Sequence, residues 1–124
     1  MKITLLSDES LRLDGLGGSL TIEAESPDQS YSPFHMLASG LAVCTHSVLM
    51  SWATNAKIQA DDLAIEVSWS FAEKPHRVGD MKLTFEWANL PKERVETARR
   101  VAALCTVHAT LQHPPTISID ARAG

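Results

Sequence analysis

Two runs of strict alternation constrain this chain more than anything else in it. Leu63, Ile65, Val67, Trp69 and Phe71 alternate with Ala64, Glu66, Ser68 and Ser70, and Met81, Leu83, Phe85 and Trp87 alternate with Lys82, Thr84 and Glu86. A period of two sends every second side chain to the same face, so each run predicts a strand with one buried side. The stretch between them, Glu73–Asp80, is polar and contains Pro75 and Gly79, so the two runs read as a long hairpin. The rest of the chain has to cover its apolar face.

The segments on either side change period. Ser32-Pro33 opens a first helix: serine caps free amides, and proline is tolerated at the first helical position. Leu37, Leu41, Cys44, Val48 and Trp52 then recur at spacings of three and four, predicting one apolar stripe and a helix running to about Asn55 or Ala56. Ala38, Ser39, Gly40 and Ala42 beside the stripe are small enough for another element to approach closely. A second helix starts at Asn89-Leu90-Pro91, with Val95, Ala98, Val101, Ala102, Cys105, His108 and Ala109 on its narrower face, and Pro114-Pro115 stops it. Short strands are expected at Lys2–Leu6, Leu11–Asp14 and Ser19–Ala24, around the turn cluster Gly15-Leu16-Gly17-Gly18, with a polar loop at Pro27–Ser32. Thr116–Asp120 closes the chain as a last strand. The predicted order is βββ-α-ββ-α-β, an α+β class, and with no repeat or dividing linker residues 1–124 read as one domain. A single chain of this kind leaves a long central helix poorly covered, which points to a homodimer with the helices at its centre.

Composition narrows the partners. With 124 residues, 44% of them hydrophobic, the chain can build a core, and its net charge of −4 argues against nucleic acid, which selects a basic surface. The apolar run Met1–Leu6 is interrupted by Asp8 and Glu9, too early for a secretory signal or a bilayer span, so no membrane partner is expected. A reducing cytoplasm is the expected compartment, where two cysteines are seldom a permanent structural disulfide.

Those cysteines, Cys44 and Cys105, are the candidate chemistry, one on each predicted helix. They read either as small buried hydrophobes or as a redox pair. A zinc set of Cys44, Cys105 and His108 with His46 or His113 is a third reading, though it lacks the close cysteine pairs usual for zinc. His46 is two residues from Cys44 and should point away from it, whereas His108 is three from Cys105 and should share its face. His76 in the hairpin loop and His35 in the first helical turn read as solvated or partly exposed, and His113 as a partner for last-turn carbonyls. Trp52, Trp69 and Trp87 fall on apolar stripes, so packing is their default role; lining an apolar funnel with Phe34 and Met36 is the functional one.

The segment Ser32-Pro33-Phe34-His35-Met36-Leu37-Ala38-Ser39-Gly40-Leu41-Ala42-Val43-Cys44, together with Cys105-Thr106-Val107-His108 and the strand order, resembles the OsmC/Ohr superfamily over nearly the whole chain. The resemblance implies an intertwined homodimer with active sites at the subunit interface. It also implies that Cys44 is the peroxidatic cysteine, attacking organic hydroperoxides, and that Cys105 is the resolving cysteine. The resulting disulfide would be reduced by a dithiol such as a lipoyl group, with no cofactor or metal required. Phe34 stands where well-characterised members keep a glutamate, and no arginine lies between Arg12 and Arg77 to match the family's arginine, so the resemblance is to a divergent branch. With that pair missing, His108 is the candidate for activating the thiols. The same loss motivates an alternative: a non-catalytic scaffold that binds a small apolar ligand.

Overall fold

The computed structural model describes the backbone of residues 2–5, 10–15 and 18–23, and residues 33–124 with their side chains. The expected loop at Pro27–Ser32, the Ser32 cap and the centre of the glycine turn cluster lie outside the described residues. Three strands, β1 (Lys2–Leu5), β2 (Ser10–Gly15) and β3 (Gly18–Glu23), form an antiparallel meander. Lys2 pairs with Asp14 and Leu5 with Leu11 across β1 and β2, while Ser10 pairs with Glu23 and Gly15 with Gly18 across β2 and β3.

Helix α1 (Pro33–Ala56) follows, 24 residues long. Three of its serines and threonines are tolerated in mid-helix because their hydroxyls donate to carbonyls one turn back: Ser39 to His35, Ser47 to Val43 and Thr54 to Met50, at 2.7–3.0 Å. It ends in a Schellman motif, with Lys57 at φ 59° and the Ile58 amide donating to the Ala53 carbonyl at 2.9 Å. Its fully buried line is Ala38, Leu41, Thr45, Leu49 and Ala53, one residue round from the expected stripe on most turns. Cys44, Val48 and Trp52 flank this line half-buried, and Leu37 is exposed.

The hairpin is formed by β4 (Ala64–Ala72) and β5 (Arg77–Glu86), longer than its alternation alone predicts. Ile65, Val67, Trp69, Met81, Leu83 and Phe85 are half-buried, with exposed residues between them. Phe71 departs from the pattern and is 45% exposed.

The second helical region differs from expectation. After a 3-10 turn at Lys92–Arg94, α2 covers only Val95–Ala102, and α3 (Thr106–Gln112) starts after a break. Leu104 donates to the Val101 carbonyl in a closing turn, and Cys105 adopts φ −57°, ψ 130°, which no helix can continue through. Cys105 is therefore not inside a helix; it caps one. Beyond His113 the expected strand Thr116–Asp120 is not formed within the chain, and Ile117 and Ile119 are 82% and 94% exposed.

The chain divides into two compact units. One takes in the N-terminal sheet, the start of α1 through Ser39, and Ser68–Met81; the other takes in Gly40–Val67 and Lys82–Gly124. The second has its own core of Leu49, Ala53, Ala60, Leu63, Trp87, Ala98 and Ala102. The Trp87 indole donates to the Gln59 carbonyl at 2.7 Å, and Trp52 meets Trp87 edge-on at 6.0 Å. Asp62 holds the approach to the second helical region, accepting from the backbone and side-chain amides of Asn89 at 3.1 and 3.0 Å.

Candidate functional site

The break between α2 and α3 brings the two cysteines together. Cys44 lies mid-way along α1, and Cys105 at the N-cap of α3 is within hydrogen-bonding reach of it. Both are free thiols, Cys44 half-buried and Cys105 only 1% exposed. The Cys105 sulfur accepts from the backbone amide of His108 at 3.3 Å, doing for α3 what a serine or aspartate oxygen does at an ordinary N-cap.

The surroundings separate the two thiols in acidity. Desolvation by burial raises the Cys44 thiol, but the Cys105 S–H and the backbone amides of Val107 and Thr106 all donate to its sulfur, and the net shift is downward. For Cys105, burial and donation of its S–H to Cys44 push the thiol up, against smaller opposing contributions from the amides of His108 and Val107 and the Thr45 hydroxyl. The accessible sulfur is thus held toward its thiolate and the buried one keeps its proton. A thiolate is the nucleophile in cysteine chemistry, so this is the division of labour a two-thiol reaction needs.

The groups that lower the Cys44 thiol are not the one expected. His108 contributes through its main chain, by capping on Cys105, and His46 faces solvent. The first amides of α3 act instead, and because they are backbone groups no residue type announces them. Thr45 was missed as well. It is 1% exposed, and its hydroxyl has no hydrogen-bond partner. Its position on the buried line of α1 is the one signal that would have found it.

The remaining candidates stand apart from this pair. His76 bonds to Glu73 at 2.8 Å and stacks on Phe71, His35 meets Trp69 edge-on at 4.9 Å, and His113 lies 3.3 Å from the Ala109 carbonyl. Phe34 packs edge-on against Phe71 at 4.9 Å. Trp52 and Trp87 belong to the core, in keeping with their default role. Among the described residues no three histidine, cysteine or acidic side chains converge as metal ligands, so the zinc reading has no site there.

Fold and site together define an α+β domain whose distinguishing feature is a pair of unequal thiols, one on a long helix and one capping a short helix. The chain belongs to the family of OsmC-like proteins, whose sequence model matches residues 26–120. Solved structures agree on the fold. A candidate osmotic-stress-induced and detoxification-response protein from Psychrobacter arcticus 273-4 superposes with a TM-score of 0.68 at 21% identity, over 88% of this chain and 85% of that one. An OsmC-like protein from Mycoplasma pneumoniae gives 0.64 at 24% identity, over 91% and 86%. An OsmC-like hydroperoxide resistance protein from Jannaschia sp. CCS1 gives 0.61 at 16% identity, over 98% and 89%. Among curated proteins nothing matches.

Proposed function

We propose that this protein is a thiol peroxidase that reduces organic hydroperoxides, with Cys44 as the peroxidatic and Cys105 as the resolving cysteine. The Cys44 thiolate attacks one peroxide oxygen, the O–O bond breaks, and the alkoxide leaves to be protonated to the alcohol. Cys44 is left as a sulfenic acid. Cys105 then attacks that sulfur, the S–O bond breaks, water leaves and a Cys44–Cys105 disulfide forms. A dithiol, with a lipoyl group as the candidate, restores both thiols by exchange and is itself oxidised to a disulfide. What supports this reading is a half-buried free thiol on α1 whose pKa its surroundings lower, set beside a buried free thiol whose pKa they raise. An inert pair of buried thiols has no need for three donors on the more exposed sulfur. The relative from Jannaschia sp. CCS1 described as a hydroperoxide resistance protein adds support at the level of the family.

We place the enzyme in a reducing cytoplasm, as a homodimer. Helix α1 is long and apolar enough to cross a bilayer by length and composition, yet only 28% of its most apolar stretch is buried within one chain. Exposed His46, Ser47, Ser51 and Thr54 on the same helix favour cover by a second copy over cover by lipid. The alternating Thr116-Ile117-Ser118-Ile119-Asp120 segment is suited to completing a sheet of that partner.

The test is intact mass with thiol counting, before and after one equivalent of cumene hydroperoxide. Loss of two hydrogens and of both thiols is expected, and Cys44→Ser should abolish it. Two unreacted thiols in the native protein would overturn the reading and leave the apolar-ligand scaffold in its place.

A further inference from the structure

The C-terminal end of the chain is anchored at one residue. From Ala103 onward Cys105 alone is buried, and α3 has no fully buried side chain of its own. Seven residues do not hold a helix by themselves in water, because the nucleating turn costs more than so few bonds return. At the start of α3 the His108 amide donates to the Cys105 sulfur at 3.3 Å, and the Ala109 amide to the Cys105 carbonyl at 3.0 Å. The residue that seats α3 in the protein is therefore also the one that caps it. A serine or aspartate at an N-cap offers an oxygen that oxidants leave alone, whereas a thiol sulfur is a weaker acceptor and one that oxidation changes.

We infer that Cys105 makes α3 a redox-sensitive latch: its thiol caps the helix in the reduced protein, and oxidation to the disulfide removes the cap and loosens α3. The inference rests on the peroxidase reading, which supplies the oxidised sulfur. In that step Cys105 gives up its proton and its sulfur bonds to the Cys44 sulfenic sulfur. The S–O bond breaks, and hydroxide leaves to combine with the proton as water; Cys105 is oxidised and the sulfenic sulfur reduced. Two bonded sulfurs stand far closer than two free thiols, so the Cys105 sulfur leaves the place from which it accepts the His108 amide. Ala103 and Leu104 beside it carry no side-chain acceptor to replace the sulfur. The tail beyond His113 is exposed throughout and adds no buried contact to hold the helix in place.

The experiment is hydrogen–deuterium exchange by mass spectrometry on the full chain, reduced and after one equivalent of cumene hydroperoxide, with the disulfide checked by intact mass. Amides of residues 105–113 should exchange about fivefold faster in the oxidised protein, the effect of losing one N-cap, while residues 64–86 of the hairpin keep their rates. Two variants test the cap without any oxidant. Reduced Cys105→Ala should show the same increase, and reduced Cys105→Ser, which keeps an acceptor at that point, should show native rates. The hairpin rates report whether each variant is folded, and the oxidised native protein is read independently of both. Equal α3 exchange in the reduced and oxidised native protein, with the disulfide formed, would overturn the latch and leave the peroxidase reading intact. A folded serine variant as fast as the alanine one would do the same, since lost packing rather than a lost cap would then be the cause. A native protein that forms no disulfide would overturn both, and its intact mass alone decides that.

Discussion

At the scale of single residues, the proposed chemistry comes down to which of two sulfurs gives up its proton first. Desolvation works against ionisation at both, but Cys44 receives three donors and Cys105 is itself one of them. Each thiol is alkylated as its thiolate, so its rate rises with pH through its own pKa. As pH is raised, Cys44 should therefore react first, with a midpoint below the ordinary cysteine range, and Cys105 later, with a midpoint above it. Replacing Cys105 by alanine removes the S–H donor but leaves the α3 amides, so the Cys44 midpoint should move part of the way back up. Mass-resolved iodoacetamide labelling across pH measures all three shifts, and identical midpoints for the two thiols would refute the assignment. Both cysteines were legible in the sequence, since sulfur is rare there and chemically distinctive. The groups that tune them were not, because the Thr106 and Val107 amides are main-chain atoms common to nearly every residue.

At the scale of elements, the hairpin and α1 followed from their periods, while the α2–α3 break did not. Strand alternation and a 24-residue run of helical spacing are repeated signals, and each repeat reinforces the last. The break falls at Ala103-Leu104-Cys105, with no glycine or proline to mark it, and the apolar spacing carries straight through it. Cys105 holds the cap through sulfur, an atom seldom found in that role, so the usual signature of a helix start is missing. Because the apolar spacing runs through Cys105, nothing in the sequence announces a helix N-terminus, or its free amides, at Thr106 and Val107. The hairpin carries a sharper constraint at Gly79, where an added Cβ would sit 2.6 Å from the Ala72 Cβ. Replacing a strand glycine by alanine ordinarily gains about 0.5–1 kcal/mol. Here overpacking at about 1–3 kcal/mol should win, so Gly79→Ala is expected to lower the urea midpoint. A higher midpoint would show that Ala72 yields without cost.

At the scale of the whole molecule, what one chain leaves uncovered is as informative as what it buries. Leu104, Ile117 and Ile119 are 72%, 82% and 94% exposed, more apolar surface than an isolated chain sheds without cost. If a second copy covers it, truncation after His113 or Ile119→Lys should turn a dimer into a monomer in analytical ultracentrifugation. A native protein that sediments as a monomer would end the dimer proposal. The last strand read from Thr116–Asp120 fits the same idea: alternation records that a segment suits a sheet but does not say whose sheet it joins. The indole pair of the second unit also gives the molecule an optical handle. Trp52 and Trp87, 6.0 Å apart and tilted 85° to each other, are close enough for their near-ultraviolet transitions to couple and produce a circular dichroism band. Trp52 lies on α1 about two turns beyond Cys44. That band therefore reports, without any label, whether the helix carrying Cys44 keeps its seat against the end of the hairpin when the protein is treated with a hydroperoxide.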